Sequence, residues 1–176
     1  MNYITKFLIV FFISISCEKN DIENNFIPEI TYPYEFSFNY DGLNRLYTLY
    51  KPDNLKDNAP LVFVMHGYTS NSTNIMNYSN MNDIADENGF MVCYPQGTVN
   101  IYTGQTHWNA NLKEMSSVDD SNFLTALAKK LQGEYNLSQE NTFACGMSNG
   151  GFMSYTLACE KNDTFKAIGS VTGTMS

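Results

Sequence analysis

Histidine is nearly missing from this chain: His66 and His107 are the only two in 176 residues. With so few, and with no cluster of Cys, His and carboxylate at ligand spacing, the sequence offers no metal centre, and no motif calls for a cofactor. Basic residues are scarce as well, 10 Lys plus Arg against 18 Asp plus Glu, for a formal net charge of −8. Phosphate backbones are held by basic faces, so nucleic acid is not an expected partner. There is no internal repeat. The four cysteines do not imply disulfides: Cys93, Cys145 and Cys159 sit on apolar strand or helix patterns and are expected to act as buried small hydrophobes.

The fourth, Cys17, belongs to the amino terminus. Lys6 and the terminal amine precede an apolar run, Phe7 to Ile13, that is shorter than the ~20 residues a permanent membrane helix needs. Ser14-Ile15-Ser16 then leads into Cys17. The arrangement resembles a bacterial lipoprotein signal in which Cys17 is lipidated and becomes the first mature residue. An ordinary secretory signal with an incidental cysteine is the alternative. Both readings place the rest of the chain outside the cytoplasm, at the outer membrane or cell surface in the first case and in the extracellular or periplasmic space in the second. The expected organisation is a signal over 1–17, a polar tether over 18–33 and one domain over 34–176.

Within that domain, Tyr34 to Tyr40 and Arg45 to Lys51 alternate as strands, and Asp41-Gly42 between them is a hairpin signal. Leu61 to Met65, Phe90 to Tyr94, Asn141 to Cys145 and Ala167 to Val171 read as buried parallel strands. Helical patterns fall at about Asn74 to Asn88, Asp120 to Tyr135 and Asn149 to Cys159, with Asp119 or Asp120 placed to cap the second. Strands alternating with helices predict an α/β fold with a mostly parallel, doubly wound sheet.

The densest chemistry lies in Cys145-Gly146-Met147-Ser148-Asn149-Gly150-Gly151. A G-x-S-x-G between an apolar strand and a helix is the pattern of a nucleophile elbow, in which a serine sits on a strained turn with its hydroxyl exposed above the sheet. Gly146 and Gly150 give strand and helix room to approach, and the Asn149 backbone N–H is expected to point where an oxyanion would form. Upstream, the strand Leu61 to Met65 ends in His66-Gly67-Tyr68, and the Tyr68 amide, after the permissive Gly67, is the expected second oxyanion donor. Triad partners in this fold follow the serine in the order acid, then histidine. His66 precedes Ser148, so its ring is expected to brace the loop. His107 is expected at the surface or a pocket rim. The aromatic loop from Tyr94 to Trp108 is the expected pocket wall, with Trp108 and Tyr102 available to stack on a substrate or simply covering the sheet edge.

Taken in order, Pro60 to Gly67, Gly89 to Gly97, Trp108-Asn109, Val118-Asp119-Asp120, Gly146 to Gly151 and Leu157 to Glu160 resemble the secreted polyhydroxybutyrate depolymerase and feruloyl esterase-like family of α/β-hydrolases. The resemblance runs from about Tyr34 to the end. It implies hydrolysis of carboxylic esters by a Ser-His-Asp triad, on feruloylated or acetylated plant polysaccharide or short polyester, with Ser148 as nucleophile. It implies that the Asp119 and Asp120 pair braces the site from behind. Where the family has Pro-Asp-Gly, this chain has Pro95-Gln96-Gly97. It also implies later strands carrying the acid and the histidine, so the chain is expected to be a fold truncated after about the sixth strand, with ester turnover near background. Two other readings stay open: a non-catalytic surface lipoprotein that binds carbohydrate or polymer, and a peptidase of the same fold.

Overall fold

A computed structural model describes residues 31–112 and 117–175. The signal segment, Cys17 and residues 18–30 of the tether lie outside the described residues, and none of the described helices is long and apolar enough to cross a membrane.

β1 (Tyr34–Tyr40) and β2 (Leu43–Tyr50) form an antiparallel hairpin closed by Asp41-Gly42. Both turn residues have positive φ, 50° and 73°, as a two-residue turn matched to strand twist requires. β3 (Leu61–Met65), β4 (Met91–Pro95), β7 (Thr142–Met147) and β8 (Ala167–Val171) are mutually parallel, and the sheet order is β1-β2-β4-β3-β7-β8. β2 runs antiparallel to β4. From β3 the chain crosses to β4 on one side and later to β7 on the other, so the carboxyl ends of β3 and β7 flank a topological switch point. Ligand crevices of open α/β sheets form at such points.

Strand periodicity divides the core between the two faces. Leu61, Phe63, Met65, Met91, Cys93 and Ala144 pack with α3 (Asp120–Glu134) and α4 (Asn149–Glu160). Val62, Val64, Val92, Tyr94 and Met147 pack on the other face with Ile75 of α1 (Ser72–Ser79) and Ala85 of α2 (Met81–Asn88). Alternate side chains point to opposite faces of a strand, which is why β4 is buried along its whole length. Each fully buried large apolar side chain contributes roughly 1.5–3 kcal/mol. α3 buries Phe123, Leu124, Leu127, Ala128 and Leu131, one stripe at helical spacing.

Three expectations are corrected. The single helix predicted over Asn74 to Asn88 is two, broken at Asn80, whose backbone is left-handed at φ 57°. Asparagine tolerates that conformation better than most residues, and the Asn80 amide also donates to Asp83 at 2.7 Å. The loop from Tyr94 to Trp108 holds a short hairpin, β5 (Thr98–Val99) with β6 (Thr106–His107). Cys159 is exposed on the last turn of α4, whereas Cys93 is buried and Cys145 half-buried. Burial pushes the Cys145 thiol up to about 11 and the Cys93 thiol well above its usual range, so both are inert at neutral pH.

Candidate active site

Ser148 joins β7 to α4 with φ 52° and ψ −115°. A non-glycine residue held there stores on the order of 1–3 kcal/mol, and the surroundings fix it from both sides. Its N–H donates to the Val171 carbonyl at 2.8 Å, and its carbonyl accepts from the Phe152 N–H at 2.9 Å. The flanking glycines are steric necessities. A methyl on Gly146 would strike the Gly150 backbone, and one on Gly150 would lie 2.7 Å from the His66 carbonyl oxygen. The start of α4 therefore sits against the end of β3 with no space for a side chain.

The segment after β3 lies over this turn. A methyl built on Gly67 would stand 3.6 Å from Ser148 Cβ. The segment is anchored by the Thr69 N–H to Thr106 carbonyl bond at 2.9 Å and by the Thr106 hydroxyl donating to the Ser70 carbonyl at 2.5 Å. Thr69 has φ 66°. Asn149 opens α4, where first-turn amides have no partner within the helix. Its side chain is buried and clamps Trp108, accepting from the Trp108 N–H at 2.6 Å and donating to the Trp108 carbonyl at 3.0 Å.

His66 is fully buried and both ring nitrogens are committed. Its Nε2 accepts from the Gly97 N–H at 3.0 Å, so the proton sits on Nδ1, which donates to the Gly67 carbonyl at 2.7 Å. Burial, the largest influence, lowers the pKa of this ring from 6.5. His66 is thus a neutral brace of the loop and has no free nitrogen to offer Ser148.

Two expected roles are corrected here. Trp108 is 0% exposed, its indole N–H donates to the His66 carbonyl at 3.0 Å, and its ring lies 5.2 Å from that of His66. It supports the site from within the core and presents no face to a substrate. His107 is neither at the surface nor at a rim. It is 0% exposed, its Nδ1 donates to the Thr98 carbonyl at 3.0 Å, and its Nε2 has no partner among the described residues. Pairing across β5 and β6 and close packing on Gly97 bury it. Tyr102, by contrast, is 82% exposed in the loop between β5 and β6.

Asp119 and Asp120 divide two tasks. Asp119 caps α3, accepting from the Asn122 N–H at 3.0 Å. Asp120 is buried, pairs with Arg45 at 2.6 Å and accepts from the Asn109 N–H at 2.8 Å. The Arg45 guanidinium also lies 3.8 Å above the Phe123 ring, a favourable cation–π placement. Asn109 follows Trp108, so this ion pair anchors the strip that holds Asn149. Gln96 ties the other side: its Oε1 accepts from the Ser72 N–H at 3.0 Å, and its Nε2 lies 3.1 Å from His66 Nε2. Arg45 and the Asn149 side chain were not singled out from sequence, and Gln96 stood out only as the departure from Pro-Asp-Gly, with no role attached. A signal for Arg45 exists, since two adjacent carboxylates in a cation-poor chain call for a counter-ion.

Among the described residues no group of His, Cys, Asp and Glu is arranged to hold a metal ion. A surface cavity of about 750 Å³ beside Tyr32, Tyr50, Asp53 and Asp86 opens at the amino end of β4, away from Ser148. A smaller groove of about 400 Å³ is lined by Ser70, Asn74, Ile75, Asn77, Tyr78 and Met147, directly beside the elbow.

Parallel strands, a strained serine between β7 and α4, and a braced loop after β3 define an α/β-hydrolase. The esterase PHB depolymerase family matches residues 45–176, and the chain belongs to it. A probable feruloyl esterase C of Aspergillus clavatus is 31% identical over 131 residues, which is 73% of this chain and 46% of that protein. A bifunctional acetylxylan esterase/xylanase of Neocallimastix patriciarum is 27% identical over 65% of this chain and 16% of that protein. The chain spans less than half the length of these curated relatives. Among solved structures, an acetyl xylan esterase from Aspergillus awamori aligns with a TM-score of 0.63 at 21% identity, covering 80% of this chain and 53% of that one. An S-formylglutathione hydrolase from Agrobacterium tumefaciens aligns with a TM-score of 0.66 at 18% identity, covering 77% and 56%. Both structures share the α/β-hydrolase fold.

Proposed function

We propose that this chain carries the nucleophile and oxyanion hole of an exported serine esterase. Ser148 Oγ attacks the ester carbonyl, and the backbone amides of Tyr68 and Asn149 receive the oxyanion. The observation that carries the reading is the backbone of Ser148, φ 52° and ψ −115°, because strain of that kind persists only where the surroundings enforce it, and it is concentrated at functional sites. The substrates suggested by the relatives are acetyl or feruloyl esters of plant polysaccharide, with polyester as the alternative suggested by the family. Tyr102 is a candidate contact on the substrate side.

Serine needs a base to attack at neutral pH. Both ring nitrogens of His66 are occupied, and His107 is buried against Thr98. On the 176-residue chain, turnover is therefore expected near background unless a base is supplied. The test is p-nitrophenyl acetate cleavage with added imidazole, corrected for imidazole alone. Oxyanion holes and binding alone sustain roughly 10³–10⁴-fold catalysis over water when triad members are missing. That serine-independent residue stays in Ser148→Ala, whereas the imidazole-dependent excess is expected to vanish, and an equal imidazole-dependent excess in that variant sinks the nucleophile assignment.

Export rests on the amino-terminal pattern ending at Cys17, with lipid attached to that sulfur. Labelled palmitate is expected in the expressed protein and not in Cys17→Ala. Equal incorporation by both excludes the anchor.

A further inference from the structure

The two backbone amides assigned to the oxyanion belong to different elements, Tyr68 to the segment after β3 and Asn149 to the start of α4. Such donors stabilise charge only when both are held about 2.7–3.1 Å from the place the oxygen will occupy. Sheet pairing between β3 and β7 ends at Met65 and Gly146, short of both amides. Steric contact sets their closest approach: a methyl built on Gly150 would lie 2.7 Å from the His66 carbonyl oxygen, and one on Gly67 3.6 Å from Ser148 Cβ. Contact of this kind resists compression but does not oppose separation. Trp108 supplies that second restraint. Its backbone N–H and carbonyl are held by the Asn149 side chain at 2.6 and 3.0 Å, while its indole N–H holds the His66 carbonyl at 3.0 Å. The peptide that carries the Tyr68 N–H is fixed next to it. Its Gly67 carbonyl accepts from His66 Nδ1 at 2.7 Å and from the Ser70 N–H at 3.2 Å, and in a planar trans peptide the N–H points the opposite way. Trp108 is in turn anchored away from the elbow, because Asn109 donates to Asp120 at 2.8 Å and to the Val118 carbonyl at 2.7 Å.

We infer that Trp108 is a positioning residue for the oxyanion hole, a strut whose main chain holds Asn149 and whose indole N–H holds the loop bearing Tyr68, so that the two amides keep one spacing. The inference rests on the esterase reading and adds to it a fully buried residue with no face toward the ester. A tryptophan kept for packing alone is replaceable by any ring of the same shape, whereas here the N–H is the part that reaches His66. Full negative charge on the ester oxygen exists only in the tetrahedral state, so loss of the strut lowers turnover and leaves ester binding nearly unchanged.

Trp108 is the single tryptophan of the chain, so growth on benzothienylalanine in place of tryptophan removes the indole N–H at this position alone and keeps the fused rings. Phosphonylating Ser148 with a fluorophosphonate in the presence of imidazole puts a phosphoryl oxygen where the oxyanion would lie, and the Tyr68 and Asn149 amide proton signals report on it. Both are expected to move downfield in the unmodified protein, and by no more than about half as much in the analogue protein. Trp108→Phe, which lacks the same N–H, is expected to show the same loss. With p-nitrophenyl acetate and imidazole, the serine-dependent rate at saturating ester is expected to fall about tenfold, short of the roughly 10²–10³ for outright loss of a donor. The half-saturating ester concentration is expected to stay within about twofold. Leu127→Ala, which empties part of the core beneath α3 and lowers stability, is expected to leave both amide shifts at full size. Full shifts in the analogue and Trp108→Phe proteins overturn the inference, and so does an equal loss in Leu127→Ala. A Ser148 that takes no label in the unmodified protein defeats the esterase reading and the inference with it. A labelled Ser148 whose amide shifts ignore the loss of the N–H defeats the strut alone.

Discussion

At the scale of single residues, His66 carries the clearest pH dependence. Its folded pKa lies below 6.5 because burial disfavours the cation, so the unfolded chain binds the proton more readily than the native protein. Stability from this residue is fully present above about pH 6.5, and it declines as pH falls from there through the lower pH at which the folded ring titrates. The imidazole Cε1–H resonance of His66 is expected to hold its neutral position on passing below pH 6.5, with the urea midpoint falling over the same window. A midpoint at or above the ordinary histidine value contradicts the neutral Nδ1–H brace. That His66 is structural was legible from its position upstream of Ser148. The burial of Trp108 and His107 was not, because a polar loop of that length gives no sign that Asn149 reaches across to clamp it. The partner of Asp120 escaped for a similar reason: Arg45 is 75 positions away along the chain, and pairing at that distance is set by sheet register.

At the scale of elements, strands were read better than helix boundaries. β1, β3 and β8 occupy the residues that alternation or continuous apolar character indicates, since burial leaves a direct pattern in sequence, although β8, expected as a buried strand, has only exposed and half-buried residues. The break between α1 and α2 left a weaker mark, a single asparagine among several. Its consequence is testable. A β-branched residue at Asn80 must adopt φ near 57°, which costs roughly 1–2 kcal/mol, whereas glycine adopts it freely. Urea unfolding is expected to show Asn80→Val destabilised by about that amount and Asn80→Gly within a few tenths of a kcal/mol of wild type. An Asn80→Val protein as stable as wild type denies that the left-handed break is held.

At the scale of the whole molecule, buried polar links gather the site from distant parts of the chain. Arg45 of β2 holds Asp120 at the start of α3, Asp120 holds Asn109, and the neighbouring Trp108 is held by Asn149. From the other side Gln96 and Gly97, after β4, hold His66 and the start of α1. A buried ion pair contributes little net stability compared with apolar packing, but losing one partner costs about 3–5 kcal/mol, so the arrangement resists piecemeal change. The elbow and the loop after β3 could be placed from motifs, while these links required the folded chain. We propose that this scaffold aims Ser148 as a nucleophile. The most direct test is labelling of the folded protein by a fluorophosphonate in the presence of imidazole, followed by peptide mapping. One adduct per chain on Ser148, absent from Ser148→Ala and from urea-unfolded protein, is the predicted result. An adduct on another residue, or labelling that persists in Ser148→Ala, contradicts it.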